Sequence, residues 1–184
     1  YQRNKAIEDY IKNSITDKEI KNYYDNEAVG DISASHILIK VSTDGSGLSD
    51  EEAKAKAENL IEELNNGADF ATLATENSED TGSASNGGAL GYFNKGDMVQ
   101  EFEDAAYALE LNEYTKEPVK TTYGYHIILK TGEKEKDSLE NLKEEIIETL
   151  ADKKKEEDKT LQVTALDEIR KNYNLKFKDS SLKR

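Results

Sequence analysis

Residues 86–102 read NGGALGYFNKGDMVQEF. A glycine cluster opens the stretch, and Leu90, Met98 and Phe102 are its large apolar members, on a loop and the start of a helix. The only two histidines of the chain, His36 and His126, lie in strand-like segments on either side of it. This arrangement predicts a small apolar pocket with an imidazole brought to it by each flanking strand.

The two strands are legible from alternation. In SASHILIKV, residues 33–41, Ile37, Ile39 and Val41 point one way and His36, Leu38 and Lys40 the other. Residues 119–130 read as strand, tight bend, strand, or as one long strand kinked at Gly124; Ile127 and Leu129 alternate with His126 and Ile128. The single proline, Pro118, sits where that strand would begin, a position that needs no backbone N–H. If the strands are neighbours, His36 and His126 share a face and can meet.

Helices fill the intervals. Ser49 and Glu52 form a capping box ahead of an apolar stripe of Ala53, Ala57, Leu60, Ile61 and Leu64, and Asn66-Gly67 stops that helix. Asp69 caps a shorter helix with Phe70, Leu73 and Ala74. The Gly- and Ser-rich residues 80–91 read as a loop, and Met98 to Leu109 as a helix. Residues 1–30 read as helix, break, helix, with Thr16 or Asp17 capping the second. From Ser138 the apolar period is helical to about Arg170, predicting one long helix across a charged KKKEEDK run that forms its solvated face. NLKFKD, residues 174–179, alternates as a short strand.

Composition separates the segments. The net charge is −14, and residues 31–134 hold 8 Lys/Arg against 20 Asp/Glu, so −12 of it sits in the middle. An acidic surface argues against nucleic acid as a partner. Cysteine is absent, which excludes disulfides, thiolate metal sites and a cysteine nucleophile. No apolar run approaches the ~20 residues of a membrane span. The chain starts at Tyr1 without a signal-peptide apolar region, so a processed N-terminus is expected.

Between Ser33 and Gly132 the chain resembles the parvulin family of peptidyl-prolyl isomerases. The resemblance rests on ASHILIK at 34–40, DFATLA at 69–74, GGALGYFNKGDM at 87–98, EFEDAAYAL at 101–109 and PVKTTYGYHIIL at 118–129. It implies an α+β fold, an antiparallel four-stranded sheet with helices around it, over residues 31–134. The flanks, ITDKEIKNYYDN before this block and a helix closing with NYNLKFKD after it, look like those of PrsA-type foldases. Residues 1–30 and 135–184 would then be parts of a helical chaperone lobe, and the protein would be extracytoplasmic and lipid-anchored in a Gram-positive bacterium, although the usual anchoring cysteine is not in this sequence.

Carried over by motif, the resemblance places a proline pocket on Leu90, Met98 and Phe102. It pairs His36 with His126, puts a polar site residue at Asp80, and sets Thr121 and Tyr123 close to the second histidine. The implied activity is isomerisation of Xaa-Pro bonds, with no metal and no cofactor. The implied partners are unfolded or partly folded secreted proteins, and the lobe is a possible route to a homodimer. A client-binding holdase with little turnover is the alternative. Family members that require phosphoserine or phosphothreonine carry basic residues in the loop after the first strand. Here that loop is VSTDGSGLSDEE, and only Lys40 beside it is basic, so phosphate-specific recognition is not expected.

Overall fold

Ile32–Lys40 forms β1 in a computed structural model that describes residues 2–42 and 44–172. It is one of two central strands of a four-stranded antiparallel sheet ordered β2-β1-β4-β3, where β2 is Ala89–Phe93, β3 Val119–Thr121 and β4 Gly124–Glu133. Because β1 and β4 are covered on both faces, nearly every residue of β1 is buried, and the alternation sorts side chains between two cores.

On one face Ile37, Ile39, Tyr125 and Ile127 pack against α3 (Asp50–Asn65) and α4 (Phe70–Asn77), through Ala57, Leu60, Ile61, Phe70 and Leu73. On the other, Ile32, Ala34 and Ile128 pack with Phe93 and with Phe102 and Ala106 of α5 (Gln100–Ala108). Each fully buried Ile in these layers is worth about 1.5–3 kcal/mol relative to exposure. The capping box of Ser49 with Glu52 forms on α3 as the sequence predicts, and of the two candidate caps for α2 (Asp17–Asn26) the structure uses Thr16, in a capping box with Glu19.

The described residues form two units, residues 29–136 and a helical unit made by residues 2–28 and 137–172. In the helical unit α1 (Gln2–Asn13), α2, α6 (Leu139–Glu157) and α7 (Leu161–Asn172) bury Ile7, Ile11, Ile15, Ile20, Ile146 and Ala165. Tyr10, Tyr23 and Tyr24 pack against that core. Among the described residues no helix is long and apolar enough to cross a membrane.

Three expectations change. The long helix from Ser138 is two helices. Asp158 leaves the helical conformation and its carboxylate accepts hydrogen bonds from the Thr160 backbone N–H at 2.8 Å and hydroxyl at 2.6 Å, so a local side-chain turn competes successfully with the next helical turn. The charged run before it is also not merely solvated: Lys153 and Lys154 reach Glu27 and Glu19 at 2.6 and 2.8 Å. Finally, residues 89–93 lie in the interval read as loop and helix start but form strand β2, and α5 begins at Gln100 rather than Met98. Residues 174–179, read as a short strand, lie outside the described residues.

The strand-bend-strand reading of 119–130 holds, with Thr122 and Tyr123 at the bend. Gly124 makes it possible: its φ is +139°, and a Cβ there would run into the Ile39 carbonyl oxygen. Gly124→Ala is expected to lower stability by about 3 kcal/mol, read as a shift of the urea midpoint with the slope unchanged.

Candidate active site

The register of β1 on β4 places Leu38 opposite His126 and His36 opposite Ile128. The two histidines are therefore diagonal neighbours on one face, and their rings stack at 5.3 Å between centroids. Their Nδ1 atoms lie 3.1 Å apart, and both residues are buried. Phe102, delivered by α5, meets both imidazoles edge-on, at 5.7 Å from His36 and 5.4 Å from His126.

A polar chain runs through the pair. Asp80, in the loop between α4 and β2, has Oδ2 at 2.8 Å from His36 Nε2, and Ser83 Oγ donates to the same oxygen at 2.5 Å. The Gly82 N–H donates to Oδ1 at 3.1 Å. The Ser83 hydroxyl, then the His36 contact, hold the Asp80 carboxyl down at about 2 against the opposing effect of burial. At the other end Thr121 Oγ1 lies 2.8 Å from His126 Nε2. Burial above all, then the neighbouring His36, pushes His126 down to about 4, so it is neutral at physiological pH.

One proton arrangement satisfies every contact of this chain with both imidazoles neutral. An ionised Asp80 only accepts, so His36 Nε2–H donates to it. His36 Nδ1 is then an acceptor and takes a proton from His126 Nδ1–H. His126 Nε2 in turn accepts from the Thr121 hydroxyl, whose oxygen receives the Tyr123 backbone N–H at 3.1 Å. An added proton on His36 Nδ1 would place N–H against N–H at 3.1 Å, and one on His126 Nε2 would require the Thr121 hydroxyl to turn from donor to acceptor.

Beside the pair is an open cavity of about 480 Å³ lined by His36, Leu38, Asp80, Leu90, Asp97, Met98, Val99, Phe102, Tyr123 and His126. Leu90, Met98 and Phe102 thus come together as the sequence predicts, although Leu90 stands on β2 and Met98 on the turn before α5. Thr121 sits behind His126 and does not line the cavity. Tyr123 is at the rim, 63% exposed, and it is its backbone rather than its phenol that joins the chain. The sequence reading missed Ser83; its signal is an acid followed three residues later by a serine around a glycine, D-T-G-S at 80–83. No group of three or more His, Cys, Asp or Glu among the described residues is arranged to hold a metal ion.

The sequence model of the PPIC-type PPIase domain matches residues 19–135, which contain every residue of this cavity. The chain belongs to that family. It is 43% identical over 180 residues to the foldase protein PrsA of Geobacillus kaustophilus, across 98% of this chain and 58% of that protein. Identity to the foldase protein PrsA of Geobacillus sp. strain WCH70 is 49% over 144 residues, 78% of this chain and 46% of that one. A crystal structure of the peptidylprolyl isomerase PrsA from Bacillus cereus superposes with a TM-score of 0.64 at 38% identity, covering 95% of this chain and 60% of that one. Foldase protein PrsA from Streptococcus pneumoniae superposes at 0.67 with 26% identity, covering 95% of this chain and 61% of that one. The chain spans about half the length of the curated relatives it matches.

The protonation pattern sets a pH dependence. Unfolded histidine titrates near 6.5, whereas folded His126 resists protonation to about pH 4. Between those values the unfolded state holds the extra proton, so stability is full above pH 6.5 and falls as the pH drops toward 4. The loss is of the order of 3 kcal/mol for this group. Urea unfolding between pH 7.5 and 4.5 reads it, and His126→Phe should flatten the slope in that window.

Proposed function

We propose that the chain is a phosphate-independent peptidyl-prolyl isomerase that assists the folding of exported proteins. The observation that carries this reading is the convergence of Leu90, Met98 and Phe102 on the same cavity as the His36–His126 pair. The PrsA proteins it is similar to bear the name foldase, and one bears the name peptidylprolyl isomerase. On this reading the chain acts outside the cytoplasm, on unfolded clients that expose Xaa-Pro bonds.

The chemistry asked of the site is modest. Rotation about an Xaa-Pro bond must overcome the loss of amide conjugation, a barrier of roughly 18–20 kcal/mol, and takes on the order of 10–100 s unaided. No bond is made or broken. An apolar cup that grips the pyrrolidine ring holds one side of the bond while the other turns. Removing the amide from water disfavours its charge-separated planar form relative to the twisted one. Phe102 supplies a flat wall, and Met98 an adaptable one. The histidines, oriented by Asp80 at one end and Thr121 at the other, give the cup a polar edge of fixed direction.

The carboxylates support phosphate independence. Asp80 and Asp97 line the cavity, and in the loop after β1 Asp44 is held ionised, at about 2, by hydrogen bonds from Ser46 and Ser42. A phosphoryl group there would meet like charge.

A protease-coupled assay on Xaa-Pro peptides tests the proposal, and no acceleration over buffer would leave only client binding. Met98→Ala is expected to lower kcat/KM about ten-fold, the equivalent of roughly 1.5 kcal/mol of apolar contact. His36→Ala should also depress turnover while the far-ultraviolet circular dichroism stays that of the parent. Phosphoserine-Pro peptides should turn over more slowly than Ser-Pro peptides, by about five-fold at low salt and less at high salt.

A further inference from the structure

The turn that carries Met98 is tied at nearly every backbone donor. Asn94 N–H donates to Asp97 Oδ2 at 2.8 Å, and Asn94 Nδ2 donates to Asp31 Oδ1 at 3.0 Å. The two N–H groups that flank Asp97 go elsewhere. Gly96 and Met98 both donate to Oε1 of Glu103, at 2.7 and 2.9 Å. Gly96 has φ +97°, which turns its N–H toward that oxygen. Glu103 is buried, only 7% exposed, one residue beyond Phe102 in the first turns of α5. A glutamate in so buried a place is retained only when hydrogen-bonded, and its partners here are the backbone of the cavity's own wall.

We infer that Glu103 is a positioning residue for substrate: it clamps the Gly96–Met98 turn onto α5 and so fixes Met98 against Phe102 across the pocket. The inference rests on the reading of this cavity as a proline site. Glu103 does not line the cavity, so it acts through Met98 and not on the peptide. Without the clamp, two backbone N–H groups lose their acceptor and the turn has several ways to settle. The cost falls on forming the cup, that is, on binding, more than on the twist of a bond already seated. Glutamine keeps a carbonyl oxygen of the same reach and restores the acceptor without the charge.

The test uses the full chain and three variants, Glu103→Ala, Glu103→Gln and Lys130→Met. Lys130 is the control, because it is also buried and bonds the other end of α5, its Nζ lying 3.1 Å from the Leu109 carbonyl oxygen, away from the cavity. Glu103→Ala is expected to raise KM for an Ala-Pro peptide about ten-fold with kcat changed much less, the effect of losing one or two hydrogen bonds to a charged acceptor. Glu103→Gln should recover most of that loss. Lys130→Met should lower the unfolding midpoint and leave KM as in the parent. In parallel, the Gly96 and Met98 amides should exchange with deuterium about ten-fold faster or more in Glu103→Ala, with α5 still protected. An unchanged KM in Glu103→Ala, or an equal rise in Lys130→Met, overturns the inference. A parent chain that neither binds nor turns over the peptide while both amides stay protected overturns the isomerase reading instead.

Discussion

The diagonal contact between His36 and His126 is the constraint on which the rest of the site depends. Two imidazoles can share one proton at 3.1 Å only if one nitrogen of the facing pair carries the hydrogen and the other is free to accept it, so each ring needs a defined tautomer. That condition needs an acceptor that never takes the proton, supplied by Asp80 held at about 2, and a donor at the far end, supplied by Thr121. It also needs burial, which β1 and β4 provide by occupying the centre of the sheet. Move either strand by one residue and one imidazole passes to the α3–α4 face, where the chain is broken.

The same geometry explains why the apolar wall stands where it does. Phe102 meets both imidazoles edge-on, so α5 must lie across the centre strands at that height. Its two ends are held by buried charges, Glu103 to the turn before it and Lys130 to the carbonyl of Leu109 after it. Met98 then follows from the turn, and Leu90 from β2, whose approach to β1 requires Gly88 because a side chain there would strike the His36 carbonyl. The cup is apolar where α5, its preceding turn and β2 bring Phe102, Met98 and Leu90, and hydrogen-bonded where β1 and β4 bring the histidines.

Much of this is legible in the order of residues along the chain. Alternation in residues 33–41 puts His36 and Leu38 on one face and Ile37 and Ile39 on the other, and the sheet keeps them there. Ser49–Glu52 announces a helix start because a cap is a contact between residues three apart, while the choice of Thr16 over Asp17 needed the structure. β2 is hidden for the converse reason. Its five residues, ALGYF, carry too short a period to declare a strand, in an interval rich in glycine, and only pairing with β1 makes them one. The break at Asp158 is hidden too, since apolar spacing continues across it while a single carboxylate decides the turn.

Sequence by itself determined what depends on neighbours along the chain: strand faces, helix caps, the acidic balance of the middle segment and the types of residue available to a pocket. The tertiary structure alone decided which of those residues meet. Ser83 is an ordinary loop serine until the sheet brings His36 to within 3.2 Å of its hydroxyl, and Glu103 is one of the 39 acids of the chain until its turn closes over it. Tyr123 stands at the cavity rim, largely exposed, and its backbone N–H rather than its phenol joins the polar chain. Hydrogen bonds between residues far apart in sequence need a distance and an angle that no pattern of residue types contains, because folding sets both.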